Sequence, residues 1–289
     1  DVSRHFFTVE EIKRFIDLMS YYKFNTFHWH LTDDQGWRIE IKKYPKLTEI
    51  GAWRDSTVDN HYTTVPRTYT KARYGGFYTQ EQIKDVVAYA EAKYVTIVPE
   101  IEMPGHARAA LAAYPEYSCT GKAQGVEGLW GIFDDIFCSK PSSIQFLKDI
   151  LDEVIPLFPG QYIHIGGDEA PKTRWHSCPK CQDIMKENHL KDEHELQSYF
   201  IRQMDAYVTA KGKKIIGWDE ILEGGLSPNA AVMSWRGFDG GLEAAKQGHY
   251  VVMTPGSHCY FDHYQGKGKD EPLAIGGYTS LEKVFTFNP

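Results

Sequence analysis

The chain has 289 residues, 42% hydrophobic and 25% charged, with a formal net charge of -7 from 32 basic and 39 acidic residues. That length carries a sizeable core in one domain of α/β-barrel size. The acidic balance offers no basic footprint for nucleic acid, and no apolar run reaches the eighteen or so residues of a membrane span, so neither nucleic acid nor membrane insertion is expected as a partner.

In chain order, Asp1-Val2-Ser3-Arg4 reads as the tail of a strand already under way, which places the natural N-terminus and any targeting segment upstream. Thr8 opens a Thr-Val-Glu-Glu capping pattern, and Ile12, Phe15, Ile16 and Met19 recur on one helical face. Residues 24–31 are strand-like and end on a polar loop carrying Asp33 and Asp34. The stretch 51–76 has no periodicity and reads as irregular loop. A helix over 79–94 and a strand over 95–102 follow, the strand ending at Met103-Pro104-Gly105-His106. Residues 107–138 are mostly loop, and 141–158 is a helix with Ile144, Leu147, Ile150, Leu151 and Val154 inward. Strands are predicted at 161–169, 214–220, 231–236 and 250–254, and helices at 194–211 and 242–247. Strand and helix alternate without repeats, which predicts a parallel sheet with short crossovers, and counting the strand cut short at Arg4 gives seven.

The centre of the pattern is Gln161 to Glu169. Tyr162, Ile163 and Ile165 form a short apolar run bounded by Pro159-Gly160 and Gly166-Gly167, as in an interior strand. In a regular strand Asp168 and Glu169 would face opposite ways, but on a glycine turn both can face one cavity. A carboxylic acid with a raised pKa beside another carboxylate suits proton transfer to a leaving group. The competing reading is an acidic pair at the start of the next helix.

Polar or aromatic residues stand at the end of every predicted strand: Arg4, Asp33, His106, Asp168 with Glu169, Trp218, Trp235 and Tyr260. In a (β/α)8 barrel those ends converge on one mouth. Trp218 and Trp235 are candidate walls for the apolar face of a sugar, with core packing as the alternative. His106 is a candidate to orient Glu169, held in turn by Asp33, and Arg4 to clamp hydroxyls with its planar donors. Tyr260 and Asp262, two apart, reach one side if locally extended. A rival signal is His28-Trp29-His30, whose histidines share a strand face like the metal pair of barrel hydrolases; His164, His106 and Asp33 are the further ligands it would need. The two histidines precede the strand end, so packing inside the barrel is preferred and no metal or cofactor is assigned. Of five cysteines, Cys119 and Cys138 are placed to bridge a loop, whereas Cys178-Pro-Lys-Cys181 has metal-knuckle spacing without a second pair to complete four ligands.

These motifs together resemble the catalytic domain of family 20 glycoside hydrolases, the β-N-acetylhexosaminidases. The resemblance spans nearly the whole chain and rests on Asp1-Val-Ser-Arg4-His-Phe, Asn25-Thr-Phe-His-Trp-His-Leu-Thr-Asp33-Asp34-Gln-Gly-Trp, Glu102-Met-Pro-Gly-His106, His164-Ile-Gly-Gly-Asp168-Glu169, Gly217-Trp218 and Tyr260-Phe-Asp262. It implies a (β/α)8 barrel that removes terminal β-linked N-acetylglucosamine or N-acetylgalactosamine from glycans with retention. The family is known as a substrate-assisted exception to the two-carboxylate scheme. By matching motif, Glu169 is then the general acid/base and Asp168 the partner of the substrate acetamido group. Asp33 and His106 form the relay behind Glu169, and Arg4 binds outer hydroxyls. Trp218 and Trp235 wall the acetamido pocket, Tyr260 bonds the acetamido oxygen, and Asp262 the far hydroxyls. The resemblance also implies a periplasmic, secreted or cell-surface protein. Family barrels continue into an eighth strand bearing a further tryptophan and a glutamate, so residues 1–289 read as one catalytic barrel truncated at both ends and lacking that strand. Two other classes stay in view: a sugar-binding barrel that has lost catalysis, and a metal-dependent hydrolase.

Overall fold

Each strand of the main sheet lies beside its successor in the chain. The computed structural model, which describes residues 1–289, has six parallel strands in sequential order: β1 (Thr26–His30), β2 (Thr96–Glu100), β3 (Tyr162–His164), β4 (Lys214–Trp218), β5 (Ala231–Ser234) and β6 (Val251–Met253). The order follows from the connections. A right-twisted strand followed by a helix returns to pair in parallel with its neighbour, and strands covered on both faces read as near-continuous apolar runs.

Helix α1 (Val9–Tyr21) precedes the sheet, and the crossovers contain α2 (Gln80–Ala92), α3 (Arg108–Ala113), α4 (Pro141–Val154), α5 (Thr173–Ser177), α6 (Pro179–Glu187), α7 (Glu193–Ala210) and α8 (Asp239–Lys246). Thr8 starts α1 with the reciprocal cap its sequence predicts: Glu11 N–H donates to Thr8 Oγ1, and Glu11 Oε2 accepts from Thr8 N–H at 2.7 Å. Thr79 and Gln82 repeat the device on α2, which buries Ile83, Val86, Val87 and Ala90. The helix-facing side of the sheet belongs to one cluster of 54 buried residues, while Val98, Ile216, Ala231 and Met233 form a separate small cluster against Trp218. Val98 shares its strand face with Glu100, so this small cluster floors the interior on which the charged residues stand.

Register fixes what meets there. His30 pairs with Glu100 across β1–β2, Glu100 with His164 across β2–β3, and His164 with Ile216 across β3–β4. One row across the sheet thus carries His30, Glu100 and His164.

Two expectations change. The first expected strand is absent: residues 1–4 are irregular, joined to β1 by Val2 N–H donating to His30 O at 3.2 Å, so the sheet has six strands rather than seven. Residues 170–190, unassigned from sequence, contain α5 and α6. The aperiodic 51–76 stretch is loop, pinned by two antiparallel ladders of two residues a side.

Candidate active site

The chain leaves β3 through Gly166 (φ 67°) and Gly167 (φ 94°). A Cβ on Gly166 would lie 1.8 Å from Glu102 Oε2, and one on Gly167 2.5 Å from Ile221 Cγ2, so conformation and space both demand glycine. Two residues that cannot escape side-chain strain also hold left-handed backbone: Glu169 (φ 42°) and His106 (φ 46°). Such conformations cost of order 1–3 kcal/mol each, and the surrounding structure must enforce them. The turn aims both carboxylates into a cavity of about 1150 Å³, whose lining includes Arg4, Asp168, Glu169, Trp218, Trp235, Tyr260 and Asp262. Asp33 and His106, the other two residues singled out from sequence, are buried behind it.

His106 joins the two layers. Its Nδ1 lies 3.0 Å from Asp34 Oδ2 in a directed hydrogen bond and 3.2 Å from Asp33 Oδ1. Its Nε2 points toward the cavity, 3.4 Å from Asp168 Oδ2 and 3.3 Å from Glu169 Oε2. Burial works against the imidazolium, but the charges of Asp33 and Asp168 outweigh it and hold the His106 pKa well above the ordinary value. Asp33 shows the converse. Burial favours its neutral form, yet Arg4, at 2.9 Å, and His106 hold it well below the usual carboxylate range. Sequence placed Asp33 alone behind the histidine. The structure shares that place with Asp34, which burial pushes up and which also accepts Arg108 N–H at 2.9 Å.

A second cluster lies deeper. Glu100 Oε2 is 2.8 Å from His28 Nε2 and 2.8 Å from His30 Nδ1; Oε1 is 3.1 Å from His164 Nδ1 and accepts a hydrogen bond from Trp218 Nε1 at 2.8 Å. The imidazole contacts to Oε2 lie off the hydrogen-bond axis, and that of His30 acts mainly through charge. Burial opposes ionisation of Glu100, but His164, His30 and His28 together hold its pKa well below normal. Burial lowers His28 to about 4, so it is neutral, while Glu100 and Asp33 overcome burial at His30 and raise it. Glu100 was not among the residues picked from sequence, yet it explains the His28-Trp-His30 pattern. Two tetrahedral bonds of about 2.0–2.1 Å would separate ligand atoms by about 3.3 Å, whereas the 2.8 Å spacings here are those of direct imidazole–carboxylate contacts.

The aromatic walls are fixed by their own polar edges. Trp218 is anchored on Glu100; Trp235 Nε1 donates to Glu220 Oε2 at 3.0 Å, and its ring stacks on Tyr260 with centroids 6.1 Å apart and planes within 9°. Burial raises Glu220 to about 7. Burial, with Asp168 next, pushes the Tyr260 phenol up, so it is a neutral donor in the working range. His5, Trp130 and Arg236 also line the cavity and were missed. Trp130 sits in a long loop with no pattern to mark it. Glu102, also missed, is buried with neither oxygen hydrogen-bonded, and burial together with the charges of Asp168 and Glu100 raises its pKa well above normal.

The four cysteines need a correction of premise. A zinc site was set aside because Cys178 and Cys181 had no second pair, but Cys119 and Cys138 stand beside them, with all four sulfurs within 4.8 Å of one another and all four thiols free.

A sequential parallel sheet with alternating helices, whose strand ends carry acids and aromatics to one mouth, defines the (β/α)-barrel class of site. The sequence profile of the glycosyl hydrolase family 20 catalytic domain matches residues 1–289. The chain is 56% identical to a beta-hexosaminidase of Porphyromonas gingivalis, covering 100% of this chain and 36% of that protein, and 41% identical to one of Vibrio furnissii, covering 100% and 48%. Among solved structures it resembles the family 20 exo β-N-acetylglucosaminidase of Vibrio harveyi in complex with N-acetylglucosamine: TM-score 0.87, 39% identity, 100% of this chain and 45% of that one. The chain belongs to glycosyl hydrolase family 20, as its catalytic domain, and its six parallel strands are part of that family's barrel. It spans about half or less of the length of these relatives.

Proposed function

We propose that this chain carries the active site of a retaining exo-β-N-acetylhexosaminidase, which hydrolyses terminal β-linked N-acetylglucosamine or N-acetylgalactosamine through the substrate's own acetamido group. The observation that carries the reading is the shared approach of Asp168 and Glu169 to one nitrogen, His106 Nε2. Carboxylates delivered side by side from one turn do not flank a sugar ring, as an acid and a protein nucleophile on opposite faces must. The nucleophile then comes from the sugar. As the acetamido oxygen attacks the anomeric carbon, Glu169 protonates the leaving oxygen, and Asp168 accepts the acetamido N–H and offsets its growing positive charge. Trp218, Trp235 and Tyr260 hold the acetamido group, while Arg4 and Asp262 take the sugar's outer hydroxyls. Glu169, now a carboxylate, activates the water that opens the cyclic intermediate with net retention.

A glycan partner and a protein located in the periplasm, outside the cell or on its surface fit this chemistry. The test is hydrolysis by the full-length protein of aryl β-N-acetylglucosaminide and aryl β-N-acetylgalactosaminide, with the matching aryl glucoside as control. Release from the N-acetyl sugars only is expected. Binding of N-acetylglucosamine without hydrolysis of either substrate would leave a sugar-binding barrel and refute the enzymatic reading.

A further inference from the structure

The cysteine cluster lies outside the cavity and joins two of the loops that form it. Cys119 and Cys138 belong to the loop between β2 and α4, the loop that carries His106; Cys178 and Cys181 belong to the loop after β3, which carries Asp168 and Glu169. An isolated antiparallel bridge between Ser118 and Phe137, with Cys138 N–H donating to Tyr117 O at 2.9 Å, sets the first pair side by side. Pro179 begins α6, so Cys178 occupies the position just before that helix and Cys181 sits in its first turn.

The sulfur spacings distinguish what the cluster is for. Cys138 Sγ lies 3.5 Å from Cys181 Sγ and 3.9 Å from Cys178 Sγ, and Cys119 Sγ lies 3.8 Å from Cys181 Sγ. A zinc–sulfur bond of about 2.3 Å in a tetrahedron separates sulfurs by about 3.8 Å, which these values bracket. Disulfides pair each sulfur with one partner at about 2.05 Å, whereas here Cys138 and Cys181 each have two near neighbours. Around Glu100, by contrast, the 2.8 Å spacings are shorter than a shared metal would leave.

Polar groups line the cluster. Ser139 Oγ is buried without a nitrogen or oxygen partner and faces Cys181, and the Lys140 N–H faces Cys138. The N-terminus of α6 adds its dipole at Cys178 and Cys181. Cys138, Cys178 and Cys181 are buried and Cys119 is half-exposed, leaving the ion an entrance.

We infer that Cys119, Cys138, Cys178 and Cys181 form a structural tetrathiolate zinc site that clamps the His106 loop to the Asp168–Glu169 loop. Four thiolates close the coordination sphere, so the ion does not activate water. A hydrolytic protein has no task for an electron carrier, which favours zinc over iron in the same tetrahedron. The clamp works beside two protein contacts on the same path: Trp175 Nε1 donates to Phe137 O at 2.8 Å, and Phe137 N–H donates to Pro104 O at 2.9 Å. Loading is proton-linked: each thiol gives up its proton to solvent as the Zn–S bond forms.

The test uses the full-length protein, tag removed, prepared without added metal. Elemental analysis is expected to give one zinc per chain. Titration with a mercurial is expected to release that zinc into a chromogenic chelator as four thiols react, and X-ray absorption at the zinc edge to show four sulfurs at about 2.3 Å. C178S/C181S is expected to lose the zinc and melt at lower temperature; because that variant can misfold, the wild-type stoichiometry and sulfur count decide the matter independently. Iron in place of zinc, a protein lighter by four hydrogens with two disulfides and no metal, or zinc bound with nitrogen and oxygen ligands would each overturn the assignment.

Discussion

Two clusters of histidine and carboxylate stand within one barrel interior and end differently. Around Glu100 three imidazoles and one indole converge on a single buried carboxylate, and of these the Trp218 ring and the edge of His30 reach the cavity. Around His106 the charges run in a chain, from Arg4 through Asp33 and Asp34 to Nε2, and the chain stops at contacts of 3.3 and 3.4 Å to two carboxylates that open on the cavity. The first cluster turns inward, meeting the second where His30 Nε2 lies 3.1 Å from Asp33 Oδ2, and its free energy goes into holding strands β1 to β4 in register. The second is left unfinished on the side that opens to the cavity, and it contains two of the five non-glycine residues with left-handed backbone, His106 and Glu169. The same side chains therefore build a scaffold in one place and a reactive edge in the other, and whether the last charged contact points inward or to the cavity separates the two.

The comparison is broken most forcefully at the reactive edge. Glu169→Gln is expected to lower kcat for substrates with poor leaving groups about 100- to 10,000-fold while binding of N-acetylglucosamine stays within a few-fold; comparable steady-state rates in the variant would remove Glu169 from proton transfer. At the inward cluster the loss moves to stability. Glu100→Gln leaves the histidines without their counter-charge and is expected to cost about 3–5 kcal/mol in urea unfolding, with the pH optimum of the remaining activity unmoved. A shifted optimum at full stability would place Glu100 in the chemistry.

His106 tests the chain that leads to the reactive edge. Its pKa is raised in the folded protein, so its stabilising contribution is full below the unfolded value of about 6.5 and fades as pH rises through the folded value. His106→Ala is expected to lower the rate, change the alkaline limb of the kcat profile, and show a stability deficit that is largest in acid and closes in alkali. An unchanged profile would reduce His106 to packing. The smallest effect is expected behind Trp235. Glu220, raised to about 7, destabilises the fold increasingly as pH climbs from its unfolded value near 4.5 through 7. Glu220→Gln keeps an acceptor for the indole and is expected to gain at most about 3 kcal/mol above pH 7 and nothing below pH 4.5, a pattern that thermal melts at the two pH values would read.

What was legible in the sequence followed local rules. Alternating periodicities placed helices α1, α2, α4, α7 and α8 and all six sheet strands, although β3 stops at His164 instead of running to Glu169, and α3, α5 and α6 fell where no helix was expected. Strand-end logic brought Arg4, Asp168, Glu169, Trp218, Trp235, Tyr260 and Asp262 to one cavity, with Asp33 and His106 behind them. What was not legible depended on register and on loops. Glu100 reads as one acid inside an apolar strand until pairing sets it beside His30 and His164. Asp34 needed the turn that directs it at His106. The zinc ligands needed Cys119 and Cys138 to meet Cys178 and Cys181 across loops whose spacing matches no knuckle pair, and a strand inferred from Asp1 to Arg4 lacked the neighbour ladder that defines one.

The central claim is that the sugar's acetamido oxygen is the nucleophile. It is tested most directly with aryl N-acetylglucosaminides carrying zero to three fluorines on the acetamido methyl, with the leaving group chosen so that the first bond cleavage limits the rate. Each fluorine makes that oxygen less nucleophilic, so kcat/KM is expected to fall stepwise along the series. A flat series, or a glycosyl ester trapped on Asp168 or any other carboxylate, would contradict it.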